Sequence, residues 1–200
     1  SKKVFVCPGG ANVHIEDLIK FKKSNFYPKY PTYSNPLRIG FLGKDWERKG
    51  GPFLLELVNY LNNKKIPTTL RVVGLEKSKI PDNKFVKNIG FINKENNIEK
   101  FIEEISSWHY GTLFSSSEAY GCSNRECLIM GVPIICRNVG GISSTLPDEE
   151  CGKLFEIEDQ FEVVGDWIIN QIENYSHYLS TRENLSKRYK EFSWDYSLGS

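Results

Sequence analysis

Apolar runs and helically spaced apolar residues alternate along the chain. Val4-Phe5-Val6-Cys7 reads as a short buried strand closed by Pro8-Gly9-Gly10, and residues 15–26 suit a short helix. Three prolines between Tyr27 and Pro36 make that stretch a loop. Leu37–Leu42 is the next strand. A helix then opens at Gly50-Gly51-Pro52, with Phe53, Leu54, Leu57, Val58 and Leu61 on one face. Thr68–Val73 is β-branched and apolar, a strand stopped by Gly74, and Phe85–Ile92 holds another. Asn96–Ile105 places Ile98, Phe101, Ile102 and Ile105 at helical spacing. A strand over 110–114, a helix over 124–130, a strand over 132–136 and a short strand near Lys153-Leu154-Phe155 follow. Phe161–Ile172 and the more polar Ser180–Phe192 look helical. The alternation predicts an α/β fold: a Rossmann-like parallel sheet with helices on both faces.

Composition narrows the class. The 200 residues suffice for one domain with a full core, and 40 % hydrophobic with 26 % charged residues suits a globular chain. A net charge of +1 lacks the basic footprint of a nucleic-acid binder, so no nucleic-acid partner is expected. Lys2, Lys3, Lys20, Lys22 and Lys23 read as a solvated face. Five cysteines, Cys7, Cys122, Cys127, Cys136 and Cys151, form no Cys-x-x-Cys pair, which points to a reduced, cytoplasmic setting. No apolar run approaches the ~18 residues of a membrane span, and no signal peptide is visible. The absent initiator Met suggests a piece of a longer protein.

Two stretches carry candidate chemistry. In the first, Ser117-Glu118-Ala119-Tyr120-Gly121-Cys122-Ser123-Asn124-Arg125-Glu126, two carboxylates flank a polar turn between a strand and a helix, followed by Gly131-Val132-Pro133. Open α/β sheets bind ligands at such strand ends. The turn amides of Gly121, Cys122 and Ser123 can point at an anion, and Ser123 or Asn124 suits an N-cap. Glu126, about one turn into the helix, can accept hydrogen bonds from vicinal hydroxyls, while an exposed helix-start glutamate is the plain alternative. A catalytic thiol at Cys122 has no activating base nearby in sequence. The second stretch, Gly43-Lys44-Asp45-Trp46-Glu47-Arg48-Lys49-Gly50-Gly51, joins a strand to a helix N-terminus with cations and close-approach glycines. It lacks Walker A spacing. Arg48 reads as a surface residue. His14, His109 and His177 show no metal-ligand spacing.

The carboxylate stretch resembles the Glu-x7-Glu signature of retaining, nucleotide-sugar-dependent glycosyltransferases with the GT-B fold, the group that includes glycogen synthase and sucrose synthase. The Lys44–Gly51 stretch is similar to that family's Gly-Arg…Lys-Gly loop, with Lys44 where the family usually has Arg; the charge stays and the bidentate geometry goes. Pro8-Gly9-Gly10-Ala11-Asn12 resembles the hinge, Asn88-Ile89-Gly90-Phe91-Ile92 the segment whose backbone meets the base, and Gly140-Gly141, Gly152-Lys153-Leu154 and Phe192-Ser193-Trp194 later landmarks. Ser144 stands near a usual acidic position, which leaves the sugar open.

The resemblance implies one half of a GT-B fold: residues 1–200 as the C-terminal donor-binding domain, with 1–12 hinge-like and 176–200 a C-terminal helix and tail. It implies transfer of a sugar from a nucleoside-diphosphate sugar, UDP- or GDP-linked, with Glu118, Lys49 and Lys44 catalytic. The donor would be held by Lys44, Lys49, Ile92, Glu118, Gly121, Cys122, Ser123 and Glu126, with no essential metal. The partner would be the missing N-terminal domain, through which alone a membrane could be met, and the isolated piece would be poorly active. A GT-B epimerase, a phosphorylase or a non-catalytic nucleotide-binding module are the alternatives. A glycosidase fits less well, since a phosphate-type turn separates the carboxylates.

Overall fold

The computed structural model describes residues 9–21 and 28–199. The strand expected at Val4-Phe5-Val6-Cys7, the 22–26 part of the first helix, Pro8 and the basic Lys2, Lys3, Lys22 and Lys23 lie outside them. Six strands, β1 (Leu37–Leu42), β2 (Thr68–Val73), β3 (Val86–Gly90), β4 (Tyr110–Leu113), β5 (Ile134–Arg137) and β6 (Gly152–Phe155), form one sheet in the order β3-β2-β1-β4-β5-β6. Every neighbouring pair is parallel. The order reverses between β1 and β4, and a crevice opens beyond the strand ends at such a reversal.

The helices are α1 (Ile15–Phe21), α2 (Gly51–Asn63), α3 (Lys94–Ser106), α4 (Cys122–Ile129), α5 (Phe161–Glu173), α6 (Tyr175–Lys187) and α7 (Trp194–Leu198). Leu37, Ile39 and Phe41 of β1 pack on one face with Leu54 and Leu57 of α2 and Ile168 of α5. On the other face Leu113, Ile134 and Cys136 pack with Phe101 and Ile105 of α3 and Leu128 of α4. The fold is therefore the Rossmann-like α/β arrangement that the alternation predicts. Among the described residues no helix is long and apolar enough to cross a membrane, and Cys122, Cys127, Cys136 and Cys151 are free thiols.

The centre of the sheet is thinned by paired glycines. Gly40 and Gly111 are partners across β1 and β4. A Cβ on Gly40 would lie 1.8 Å from the Trp108 ring, and one on Gly111 2.5 Å from Cys127 Sγ. Without those side chains Trp108 and α4 settle onto the sheet. The buried indole contributes about 5 kcal/mol gross from its apolar area.

Some boundaries differ from the sequence reading. Helix α4 begins at Cys122 rather than 124, because Gly121 in the left-handed region (φ 92) caps it. The last long helix runs Tyr175–Lys187 rather than 180–192, and a 3-10 turn fills Tyr189–Phe192. Its buried face is Tyr178, Arg182 and Leu185, a mixed set that blurs the apolar period. Helix α7 is an addition, capped by Ser193, whose hydroxyl accepts from Tyr196 N–H.

His109 is a structural clasp. It is fully buried; its Nδ1 accepts from Arg38 N–H at 3.0 Å and its Nε2 lies 3.1 Å from the Lys29 carbonyl. The proton therefore sits on Nε2. Burial, aided by Arg182 and Arg38, lowers its pKa to about 3 against the pull of the Lys29 carbonyl. As pH falls below about 6.5 the unfolded chain gains a proton that the folded chain refuses until about 3, so stability is lost at about 1.4 kcal/mol per pH unit across that window. Urea unfolding at pH 7.5 and 5.5 should show wild type losing about 1.4 kcal/mol more than His109→Gln. Equal losses in the two proteins would remove His109 from the pH response.

Candidate functional site

The loop after β1 and the loop after β4 are tied at the C-terminal edge of the sheet. Ser116 N–H donates to the Arg48 carbonyl at 2.9 Å. Gly50 caps α2 with φ 81, and a Cβ there would fall 2.3 Å from the Phe114 carbonyl oxygen. Only glycine permits both the left-handed turn and that approach. A Cβ on Gly43 would lie 2.3 Å from Lys49 Cδ, so the Lys49 side chain folds back over Gly43. Its ammonium thereby comes within 3.3 Å of Glu118 Oε2.

Glu118 gathers more than one donor. Arg48 Nη1 reaches the same carboxylate oxygen at 3.3 Å and the Ser117 carbonyl at 3.0 Å, while Asp45 holds Arg48 Nε at 3.2 Å. Ser115 Oγ lies 3.4 Å from it. Burial pushes the Glu118 carboxyl upward, but Lys49 and Arg48 together outweigh burial and hold it below the usual range. Arg48, read from sequence as surface, is therefore part of the cluster. The adjacent Asp45, three residues before it, was the local sign.

Glu126 sits on α4 and is 7 % exposed. Its Oε1 contacts the Lys94 ammonium, which also lies 4.4 Å over the Phe101 ring. Burial raises the Glu126 pKa, with Lys94 and then Lys49 pulling it down. Lys49 thus acts on both carboxylates, by contact with Glu118 and through its field on Glu126. That burial rules out the plain alternative of an exposed helix-start glutamate. Lys94 carried no sequence signal beyond its place just after β3.

In sequence the α4 N-terminus falls between Glu118 and Glu126, the latter one turn inside the helix. The first turn of a helix offers amides without intrahelical acceptors. Cys122 is exposed there, and Ser123 Oγ is buried without a hydrogen-bond partner. The expectation that Ser123 or Asn124 caps α4 is wrong: Gly121 is the cap, without any side-chain cap bond. The Asn124 amide instead donates to Thr145 Oγ1 at 2.9 Å and ties α4 to the segment after β5.

Gly140 and Gly141 shape the Glu118 loop. A Cβ on Gly140 would meet the Glu118 carbonyl oxygen at 2.0 Å, and one on Gly141 the Ala119 oxygen at 2.1 Å. Lys44 is exposed, with its ammonium 5.4 Å over the ring of Phe91, itself 64 % exposed. Ile92 is buried in the core. The Gly9 carbonyl accepts from Tyr120 Oη at 2.7 Å and Arg125 Nε at 2.8 Å, and Ala11 N–H donates to the Phe192 carbonyl at 2.8 Å. The hinge-like and terminal aromatic segments therefore meet beside α4. Among the described residues no three His, Cys, Asp or Glu side chains converge as a metal site would need.

The sequence pattern of the family described as "Glycosyl transferases group 1" matches residues 22–192. Among solved structures, WaaG, a glycosyltransferase involved in lipopolysaccharide biosynthesis, aligns at 16 % identity and TM-score 0.67 over 96 % of this chain and 54 % of its own. HepE of Anabaena in complex with UDP-glucose aligns at 16 % identity and TM-score 0.64, over 90 % of this chain and 50 % of its own. Sucrose-phosphate synthase from Thermosynechococcus elongatus gives 17 % and 0.68, over 96 % and 50 %. At such identities the likeness is one of fold. The chain spans about half the length of these structures. No curated protein matches it significantly.

The glycines give a test of the loop geometry. Gly140 (φ 56) and Gly90 (φ 81) are both left-handed, but a Cβ at Gly90 would meet nothing within 4 Å. Alanine at either position costs about 1–2 kcal/mol of backbone strain, and Gly140→Ala should cost about 1–3 kcal/mol more by driving into the Glu118 carbonyl. Equal losses in chemical denaturation would contradict the close approach.

Proposed function

The chain belongs to the glycosyl transferases group 1 family, and from that membership and the site we propose that it is the donor-binding half of a retaining enzyme that moves a sugar from a nucleoside-diphosphate sugar to an acceptor. One observation carries the reading. Lys49, on one loop, meets Glu118 at 3.3 Å and acts through its field on Glu126, and these carboxylates flank the N-terminus of α4. A cation, helix amides and two hydroxyl acceptors thus share one corner, the set of groups that a pyrophosphate carrying a ribose and a sugar would need.

Each group then has a task. Glu126 accepts from the vicinal ribose hydroxyls. Lys49 and the amides of Gly121, Cys122 and Ser123 hold the diphosphate, Lys44 swings from Phe91 to supply a second cation, and the Ile92 backbone meets the base. Glu118 faces the donor sugar and orients its anomeric carbon. An arriving diphosphate competes with Glu118 for the Lys49 ammonium and frees that carboxylate to take sugar hydroxyls. When the bond from anomeric carbon to phosphate breaks, negative charge grows on the departing nucleoside diphosphate. Lys49, Lys44 and the helix amides stabilise that charge in place. The solved HepE complex with UDP-glucose supports a nucleotide-sugar donor, and the half-length coverage supports a second domain that brings the acceptor.

Calorimetry with UDP, GDP, their glucose conjugates and the bare nucleosides tests this. A nucleoside diphosphate should bind, and Lys49→Ala should weaken it about ten-fold or more while changing nucleoside binding little, since a charged hydrogen bond contributes about 1.5–3 kcal/mol. Equal losses for both ligands would count against phosphate contact. Absence of nucleotide binding would favour a non-catalytic module.

A further inference from the structure

We infer that Lys94 is a positioning residue, whose ammonium, seated over the Phe101 ring, keeps the Glu126 carboxylate charged and turned toward the donor's ribose. The inference rests on the donor reading above and adds to it a residue outside the Glu118–Glu126 stretch.

Glu126 is 93 % buried, being 7 % exposed. A carboxylate removed from water reverts toward its neutral form unless a counter-charge is close. The groups facing it come from three elements: Lys94 from α3, Lys49 from the loop after β1, and its own neighbour on α4, the buried Cys127 thiol. The thiol is uncharged, since burial raises its pKa well above the ordinary value. Lys49 is committed to Glu118 by contact. Lys94 alone among these touches the Glu126 carboxylate.

The geometry suits holding rather than blocking. Lys94 meets Oε1, and Oε2 is the oxygen for a ribose hydroxyl. The ammonium is fixed from behind by the Phe101 ring at 4.4 Å, a contact that attracts a cation. Its backbone is fixed as well. Asn93 caps the turn by accepting from Glu95 N–H at 2.9 Å, and Asn97 (φ −142, ψ 38) breaks the helix just beyond. Lys94 therefore rides on a single capped turn set apart from the rest of α3.

Carboxyl 13C NMR titration of the protein without nucleotide reads the first half of the inference. Lys94→Met should raise the Glu126 midpoint by about one pH unit or more, the effect of removing an adjacent opposite charge, and Lys94→Arg should restore it. The second half is read by calorimetry with the tightest of UDP, GDP and ADP beside its 2′-deoxy form. Wild type should prefer the ribose form about ten-fold or more, whereas Lys94→Met should lose most of that preference, more so at pH 6 than at pH 8. Binding of inorganic pyrophosphate, held by Lys49, should stay unchanged and show that the variant folds. An unmoved midpoint, or tighter nucleotide binding in Lys94→Met, would overturn the inference, the latter by making Lys94 a competitor of ribose. If wild type binds no nucleoside diphosphate, the donor reading fails first and the ribose role of Lys94 with it, whatever the titration shows.

Discussion

Lys49 reaches Glu118 across the line where the strand order reverses, and that contact draws the loops after β1 and β4 into one site. Loops that leave the sheet on either side of such a reversal tend to part. Here they are held by backbone as well as by charge: Ser116 N–H on the Arg48 carbonyl, and Gly50 against the Phe114 carbonyl oxygen. The glycines at 43 and 50 are needed because side chains there would occupy the path of Lys49 or of the opposite loop. The sheet centre follows the same rule, since Gly40 and Gly111 let Trp108 and Cys127 of α4 approach the strands closely.

The two carboxylates differ in what surrounds them, and that difference suits different tasks. Glu118 is half-buried and outnumbered by cations, which hold it ionised through a wide pH range. Glu126 is deeply buried, and burial raises its pKa despite Lys94 and Lys49. A group in the first setting can exchange partners as charge arrives and leaves. A group in the second is rigid and dry, where hydrogen bonds to a carboxylate are strong and geometry selects the ligand.

Much of the fold could be read from the chain. The limits of β1 and β2 follow from short runs rich in apolar and β-branched residues that end before Gly43 and Gly74, and the α2 face follows from its Leu and Val spacing. The C-terminal boundaries could not, because α6 buries Arg182 and Tyr178, residues that a hydrophobic pattern assigns to solvent. In the candidate site, Lys49, Glu118 and Glu126 carry a local motif, and the structure brings Lys49 to Glu118. Arg48 and Lys94 matter through partners 70 and 32 residues away, and only folding brings those partners near. Asn124 misled for a related reason. It looks like a cap in sequence, but its amide is spent on Thr145, 21 residues on.

A crystal structure of this chain with a bound nucleoside diphosphate tests the shared corner most directly. The expected result places the diphosphate within hydrogen-bond distance of Lys49 Nζ and the first amides of α4, with the ribose hydroxyls on Glu126. A nucleotide bound elsewhere, or one whose phosphates leave Lys49 on Glu118 and out of reach, would contradict it.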